Sequence, residues 1–159
     1  MLNIARQDNT IVRVDRQTEI TYPQGCVELI PGSMCRRPSC YDLARDVLLS
    51  TSFHQRAISE SCRTIFGRLM YDGKLPYCLN LKDGKEIQKK DPRVFRRLYA
   101  GKKVFLWGSA VKKERDHDSV PYLFEGQSSV MLEWYSMDCG IGRDCPALLF
   151  RKGLLVPNL

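Results

Sequence analysis

The sequence contains few of the features that identify an enzyme or a membrane-spanning protein. It has two histidines, and it contains no Walker motif, no complete dinucleotide-binding glycine loop and no serine-elbow motif. No apolar run approaches the roughly 20 residues that span a bilayer. The first residues lack the basic stretch and apolar core of a signal peptide. We therefore expect a non-enzymatic intracellular protein, located in the cytoplasm or the nucleus, without a secretion signal, a transmembrane segment or a small-molecule substrate.

The cysteines do not favour a disulfide framework or a metal centre. There are seven, an odd number, and without a secretion signal they predict reduced thiols. Cys35 and Cys40 have four residues between them, at the edge of the spacing of zinc ligands, and no second close pair follows. Cys139 and Cys145 enclose two glycines, a pattern that favours a β-turn over a metal site or a bridge. We expect no cofactor and no metal, with Cys35 and Cys40 as the candidate ligands if zinc is bound.

The length and composition predict one globular domain over residues 1–159. Apolar residues make up 43% of the chain and charged residues 27%, which is typical of a folded soluble domain that is large enough to bury a core. Residues 1–9 and 155–159 are expected to be loose, because untethered termini usually are.

The first third of the chain predicts short strands at residues 10–14, 19–22 and 26–30, which are β-branched and separated by turn residues. Ser39 then predicts a helix cap, with Leu43, Val47 and Leu48 on the inner face of the helix. Ser52 predicts a second cap, and apolar residues recur at helical spacing over residues 58–69. This helix is expected to end near residue 70. The Asp-Gly pair at 72–73 leaves an alternative, in which residues 65–71 and 75–81 form a hairpin.

The remaining elements complete an α+β pattern. Asp83 and Gly84 predict a turn. Asp91, Pro92 and Gly101 then mark the cap, the first position and the end of a further helix. Strands are expected at residues 104–111, 122–124, 129–137 and 147–150. The order of elements predicts an α+β fold: a single compact domain with a largely antiparallel sheet packed against two or three helices.

The strongest functional signal is the basic segment, residues 85–103. Against Glu86 and Asp91 it carries a net charge of +6, out of +7 for the whole chain. Its cations are Lys85, Lys89, Lys90, Arg93, Arg96, Arg97, Lys102 and Lys103. Such a concentration predicts a polyanionic partner, either RNA or ribonucleoprotein or the headgroups of anionic lipids. The alternative is a solvated helix face with long side chains. Arg36 and Arg37 form a second basic pair and a candidate secondary contact.

Four aromatic residues lie close to the basic segment in sequence. Phe95 and Tyr99 are inside it, and Phe105 and Trp107 follow it. Aromatic rings beside a basic groove can stack on the bases of single-stranded nucleic acid. Their spacing equally matches the inward faces of a helix and a strand, so a place in the core is the alternative.

The order of elements resembles that of the matrix proteins of rhabdoviruses, especially those of plant-infecting members. A strand at residues 26–30 leads to a helix pair at 41–70, a basic linker, strands at 104–111 and 129–137, and the hairpin CGIGRDC before a last strand. The matrix proteins of animal rhabdoviruses usually carry a lysine-rich or proline-rich N-terminal arm with a late-budding motif. Residues 1–16 of this chain have neither. The resemblance implies a viral protein of the host cell and the virion that self-associates, condenses the nucleocapsid and binds the inner face of an anionic membrane.

Three hypotheses follow. The first is a basic, non-enzymatic, matrix-like structural protein that binds anionic membrane or viral ribonucleoprotein and self-associates. The second is a small RNA-binding regulator, such as a viral suppressor of host defence, that uses the same arginine residues on phosphates. The third is a small zinc-dependent or thiol-dependent enzyme. A measured preference for lipid or for RNA at matched salt distinguishes the first two hypotheses. Zinc content and thiol reactivity test the third.

Overall fold

Short strands and helices alternate along the chain in the computed structural model, which describes residues 10–30 and 35–157. The helices are α1 (Leu43–Asp46), α2 (Phe53–Ala57), α3 (Cys62–Tyr71), α4 (Leu81–Gln88) and α5 (Pro92–Tyr99). The strands are β1 (Ile11–Arg13), β2 (Cys26–Glu28), β3 (Cys35–Arg36), β4 (Cys40–Asp42), β5 (Val47–Ser50), β6 (Glu60–Ser61), β7 (Val104–Phe105), β8 (Val111–Lys113), β9 (Ser119–Glu125), β10 (Val130–Ser136), β11 (Gly140–Ile141), β12 (Ala147–Phe150) and β13 (Val156–Pro157).

One large sheet forms the centre of the fold. Its strand order is β2-β8-β9-β7-β12-β5, and β10 pairs with β9 along its whole length. All pairs in it are antiparallel except β7 with β12. Three two-stranded sheets, β1-β4, β6-β11 and β3-β13, surround it. The α+β class and the largely antiparallel sheet are thus confirmed, with five helices among the described residues.

The sheet buries a separate core on each face. Val104 and Leu106 pack with α4, α5 and the β1-β4 pair, whereas Phe105 and Trp107 pack with α3. Successive residues of an extended segment point to opposite faces, so this alternation places the helices in two layers. The basic helices α4 and α5 therefore form an outer layer over one face of the sheet.

The helix predicted after Ser39 is wrong in its cap and its length. The cap is Asp42, whose Oδ1 accepts a hydrogen bond from Ala44 N at 2.9 Å, and α1 is a single turn. Val47 and the next residue lie in β5 instead. There Val47 pairs with Phe150 of β12 and buries its side chain. Strand pairing has overridden a helical spacing of only three apolar residues.

The second predicted helix is divided into two. Ser52 is confirmed as a cap, and its Oγ accepts from Gln55 N at 3.0 Å in a capping box. The chain leaves the helix at Ile58, which is 87% exposed, and pairs β6 with β11 before α3 begins at Cys62. The end near residue 70 is confirmed, and the alternative hairpin is wrong, because α3 continues to Tyr71.

Other differences concern turns and the chain ends. Residues 19–22 form no strand, and a short 3₁₀ turn, Trp107–Ser109, divides the strand predicted at 104–111. Residues 1–9 lie outside the described part of the chain. At the other end the expectation of a loose segment is wrong for residues 155–157, because Leu155 is buried and β13 pairs with β3.

Candidate polyanion-binding face

Helix α4 is positioned by a capping box that the sequence analysis mistook for a turn. Asn80 Oδ1 accepts from Lys82 N at 3.0 Å and from Asp83 N at 3.3 Å, and Asp83 Oδ2 accepts from Asn80 N at 3.0 Å. This reciprocal arrangement satisfies amide groups that have no partner inside the helix. Asp83 and Gly84, which were predicted to form a turn, therefore belong to the first turn of α4.

The carboxylate of Asp83 also ties α4 to the N-terminal strands. It is fully buried, and its Oδ1 accepts from Arg16 Nη2 at 2.5 Å and from Tyr41 OH at 2.7 Å. Burial, and then the charge of Asp83, raises the pKa of Tyr41 far above its usual range, so the hydroxyl keeps its proton and remains a donor. Three donors thus hold one carboxylate, which fixes α4 against β4 and the segment after β1.

Gly84 allows α4 to lie close to the sheet. A Cβ built at this position would overlap Leu106 Cδ1 and would lie 3.7 Å from Leu132 Cδ1. A larger residue would therefore require the buried side chain of Leu106 or the helix itself to shift. The close approach leaves Lys85 and Lys89 on the exposed side of the helix.

Helix α5 matches the sequence prediction in its signals and its faces. Asp91 caps it, with its Oδ1 accepting from Arg93 N at 2.9 Å, and Pro92 is its first residue. Gly101, shortly after the last residue, has φ +72°. The buried side consists of Val94, Phe95 and Tyr99, with Leu98 partly buried, whereas Arg93, Arg96 and Arg97 are exposed.

Three cations of the basic segment are paired with carboxylates. Lys89 Nζ lies 2.9 Å from Glu86 Oε1, and Arg93 Nη2 lies 2.6 Å from Asp91 Oδ2. Hydrogen bonds from Arg93 lower the pKa of Asp91 to about 2. Arg96 Nη2 lies 2.5 Å from Oε1 of Glu125, which belongs to β9. These three pairs reduce the charge that the face presents to a partner, and the pair with Glu125 could not be found from the local sequence.

Three other cations have neither a carboxylate nor an aromatic ring as a partner among the described residues. Within residues 10–30 and 35–157, the side chains of three residues have no ion-pair or hydrogen-bond partner: Lys85, Arg97 and Lys102. Lys103 Nζ lies 5.8 Å from the ring centroid of Tyr122, a cation–π contact. Lys85, Arg97 and Lys102 therefore carry charge that is available to a ligand, and we call these three residues the free cations.

Two open grooves lie beside α4 and receive lysine side chains. One, of about 390 Å³, runs between β1 and the α4–α5 junction, and Lys89 and Lys90 line it. The other, of about 460 Å³, lies between α4 and residues 14–21, and Lys82, Lys85 and Lys89 line it. Lys82 is held by Asp15 O at 2.6 Å and by Thr18. Carboxylates line both grooves as well, Glu86 and Asp91 the first and Asp15, Glu19 and Glu86 the second, so the grooves carry charges of both signs.

The four aromatic residues near the segment belong to the core. Phe95, Tyr99, Phe105 and Trp107 are 2%, 4%, 0% and 1% exposed, respectively. Phe105 packs between Trp107 and Tyr122, with ring centroids 5.7 and 5.2 Å away. None of the four can stack on a nucleic-acid base in this fold, so the core interpretation of their spacing is confirmed.

The second basic pair divides between two environments. Arg36 lies in β3, and its side chain is outside the described part of the chain. Arg37 is half-buried and lines a cleft that also contains Trp107. In the sequence, Arg37 is far from the free cations. Its guanidinium Nε and Nη2 each lie 3.4 Å from Cys78 O.

The thiols form no metal site in the part of the chain that the structure describes. No group of three or more His, Cys, Asp and Glu residues there can hold a metal ion. Cys40 is a free, exposed thiol on β4, and the side chain of Cys35 is outside the described residues. Cys139 and Cys145 are unbridged, and β11 between them pairs with β6. Burial raises the pKa of Cys62 and of Cys78 to about 12, which keeps both thiols protonated.

Neither a membrane-spanning helix in the described residues nor a known relative helps to interpret this face. In residues 10–30 and 35–157, no helix has the length and apolar character needed to cross a bilayer. Comparisons of the chain with family models, with curated proteins and with solved structures found no match. The candidate face is therefore interpreted from its own residues and geometry.

Proposed function

We propose that this chain is a non-enzymatic, matrix-like structural protein that binds the anionic inner surface of a membrane through the α4–α5 layer and associates with further copies of itself. The observation that carries the proposal is the group of free cations on one outer layer. Lys85, Arg97 and Lys102 have no carboxylate partner among the described residues, although three neighbouring cations do. Cations without an ion-pair partner, carried by α4, by α5 and by the turn that follows α5, favour an extended anionic surface as the partner.

The burial of the aromatic residues favours lipid over single-stranded RNA. Proteins that bind single strands combine a basic groove with exposed rings on which bases stack. Here the rings nearest the basic segment, such as Phe95 and Trp107, are in the core. The basic face would therefore contact its partner through charged side chains alone, as expected for binding to lipid headgroups. Binding to an RNA phosphate backbone is the competing outcome of the experiment below.

The expected strength follows from the number of free cations. Each lysine or arginine near an anionic membrane surface contributes about 1 kcal/mol, which is roughly fivefold in affinity. Three such residues together therefore give on the order of a hundredfold preference for anionic over neutral vesicles. The paired cations Lys89, Arg93 and Arg96 add less, because part of their charge is already neutralised.

Strand β5 offers a surface for self-association. It is the last strand of the large sheet, and Leu48 and Leu49 are 41% and 42% exposed on it. Phe53 and Ile58, which follow in α2 and the loop after it, are more exposed still. An edge strand presents unpaired N–H and C=O groups, and exposed apolar side chains beside them favour pairing with another chain. We propose that two copies pair β5 with β5, which would bring the leucine side chains of the copies together.

The test of membrane binding is co-flotation with phosphatidylcholine vesicles, with and without phosphatidylserine, over a range of salt concentrations. The wild-type protein should float only with anionic vesicles and be released at high salt. Lys85→Ala/Arg97→Ala/Lys102→Ala should reduce the partition coefficient about a hundredfold. The control Lys112→Ala/Arg115→Ala/Lys152→Ala removes the same charge from exposed positions outside the segment and should lose much less.

Two outcomes would contradict the membrane proposal. Equal losses in the two triple variants would mean that net charge, and not this face, controls binding. Absence of flotation, together with salt-sensitive binding of labelled single-stranded RNA that the first triple abolishes, would assign the face to a phosphate backbone.

Self-association is tested separately by sedimentation velocity over a range of concentrations. Leu48→Glu/Leu49→Glu should shift the wild-type oligomer toward monomer, because charge on the edge opposes pairing. Met131→Glu, at an exposed apolar position on β10, is the matched control. A wild-type chain that stays monomeric at high concentration would contradict pairing through β5.

A further inference from the structure

A further cleft lies at the N-terminal end of α4, beside the groove of residues 14–21, and it contains none of the free cations. It has a volume of about 320 Å³ and is lined largely by apolar side chains: Ile20, Ile30, Phe66, Met70, Leu75 and Trp107. This volume is at the lower end of the roughly 300–1,000 Å³ that is typical of small-molecule sites. Such sites usually combine an apolar lining with a few polar groups that fix the orientation of the ligand. Here Arg37, Asn80 and Glu28 supply the polar groups.

Arg37 brings to this apolar cleft a positive charge that interacts with Asp83 and Glu28 only at a distance. Among the described residues no carboxylate lies within ion-pair distance of its guanidinium, and its contacts with Cys78 O are at 3.4 Å, the limit of a hydrogen bond. Burial lowers the pKa of Arg37 below its usual value, and it remains protonated at neutral pH. A desolvated guanidinium that has no carboxylate in contact with it is costly, and an anionic ligand would offset that cost.

Gly108 makes room for this guanidinium. A Cβ at that position would lie 3.0 Å from Arg37 Nη2 and 2.7 Å from Cys78 O. The backbone of Gly108 also donates to Leu79 O at 3.0 Å. The close approach of a backbone segment thus holds the arginine fork at the wall of the cleft.

Asn80 provides a second donor at the same place. It is 6% exposed, and its Oδ1 is used by the cap of α4 and by Arg16. The amide nitrogen Nδ2 has no hydrogen-bond partner among the described residues, so it is the atom of this side chain that is left for a ligand. A guanidinium and an amide N–H together are the donors that recognise a carboxylate.

The acidic group of the cleft is already engaged. Tyr22 OH donates to Glu28 Oε1 at 2.6 Å and lies 3.1 Å from Ser109 Oγ. Burial, and then the hydrogen bond to Glu28, raises the pKa of Tyr22, so the hydroxyl remains a donor to the carboxylate. Glu28 therefore has a short hydrogen bond within the protein, whereas the contacts of Arg37 are the two long ones to Cys78 O.

We propose that this cleft binds a small organic carboxylate, with the apolar body of the ligand between Phe66, Met70 and Trp107 and the carboxylate on Arg37 and Asn80 Nδ2. The site includes none of the three free cations of the proposed membrane-binding face. A ligand with one negative charge and a compact aromatic or aliphatic body fits its charge and size.

The experiment titrates the ¹⁵N-labelled full chain with three probes that share one body: 3-phenylpropionate, 3-phenylpropanol and 3-phenylpropylamine. Amide shifts should map to the residues around Gly108 and Cys78. The carboxylate should bind at least tenfold more tightly than the alcohol, and the amine more weakly than either. Arg37→Gln should remove the preference for the carboxylate and leave binding of the alcohol unchanged. Arg63→Gln, which changes an exposed arginine paired with Asp118 and Asp138, is the control.

A second variant keeps the test decisive if Arg37→Gln does not fold. Met70→Trp places a larger ring at the half-exposed rim of the cleft and should weaken binding of both the carboxylate and the alcohol at least tenfold. Equal affinity for the carboxylate and the alcohol would overturn the proposal, as would tighter binding of the amine or shifts that map elsewhere. Vesicle flotation should be unaffected by either variant, which separates this proposal from that of membrane binding.

Discussion

The buried carboxylate of Asp83 is the point where removing one charge should have the largest effect on stability. Its two oxygens accept from Arg16 at 2.5 Å, Tyr41 OH at 2.7 Å and Asn80 N at 3.0 Å, with no exposure to solvent. In Asp83→Asn one oxygen becomes an NH₂ group that faces donors, and the guanidinium of Arg16 loses its counter-charge. The change is nearly isosteric, so it creates no cavity.

The expected cost of Asp83→Asn is about 3–5 kcal/mol, the range for breaking a buried ion pair by removing one partner. Tyr41→Phe removes one hydrogen bond to a charged acceptor, and should cost about 1.5–3 kcal/mol. Because a domain of this size has a free energy of unfolding of only about 5–15 kcal/mol, the first variant loses a large share of its stability.

The assay is urea unfolding followed by tryptophan fluorescence and by far-ultraviolet circular dichroism. Asp144→Asn, at an exposed carboxylate, is the control and should stay within about 0.5 kcal/mol of the wild type. A double-mutant cycle with Arg16→Gln should give a coupling energy of about 0.5–3 kcal/mol, because the two side chains are in contact. If Asp83→Asn stays within about 1 kcal/mol of the wild type, the network does not hold α4 in place and the reasoning is refuted.

Three further predictions concern packing, charge and thiol reactivity. Gly84→Ala should destabilise the protein by about 1–3 kcal/mol through overpacking. Gly67→Ala, in a helix with open space around the residue, should stabilise it by about 0.4–1 kcal/mol. Thermal unfolding compares the two variants, and equal effects would contradict the close approach of α4 to the sheet. Glu125→Gln should free its arginine and strengthen flotation with anionic vesicles up to about fivefold, and weaker flotation would argue against this face. Cys40 should react with Ellman's reagent at pH 8 in the native protein and Cys78 only after denaturation, since burial raises the pKa of Cys78 to about 12.

The local sequence predicted α5 because all of its signals lie within it. Asp91, Pro92 and Gly101 act on their own neighbours, and the alternation of buried and exposed residues needs only a single helix. The same local reading was wrong for Asp83 and Gly84. An Asp-Gly pair is typical of a turn, and it became part of a helix because Asn80 caps the helix and the sheet requires a residue without a Cβ.

The position of the basic segment was likewise predictable, whereas its free charge was not. The sequence places eight cations in residues 85–103, but Glu125, which neutralises Arg96, is 29 residues away and lies on β9. The cleft beside Arg37 has no local signal, because its walls come from residues as distant as Ile20 and Ala110.

By itself, the sequence determined the α+β class, the caps at Ser52 and Asp91, and the concentration of positive charge in one segment. These properties depend on side chains that act on nearby backbone, or on composition alone. The tertiary structure decided that Val47 belongs to a strand, that the aromatic rings near the segment are core, and that Lys85, Arg97 and Lys102 are free of carboxylates. Such outcomes depend on contacts between residues far apart in the chain, which exist only after the sheet has formed.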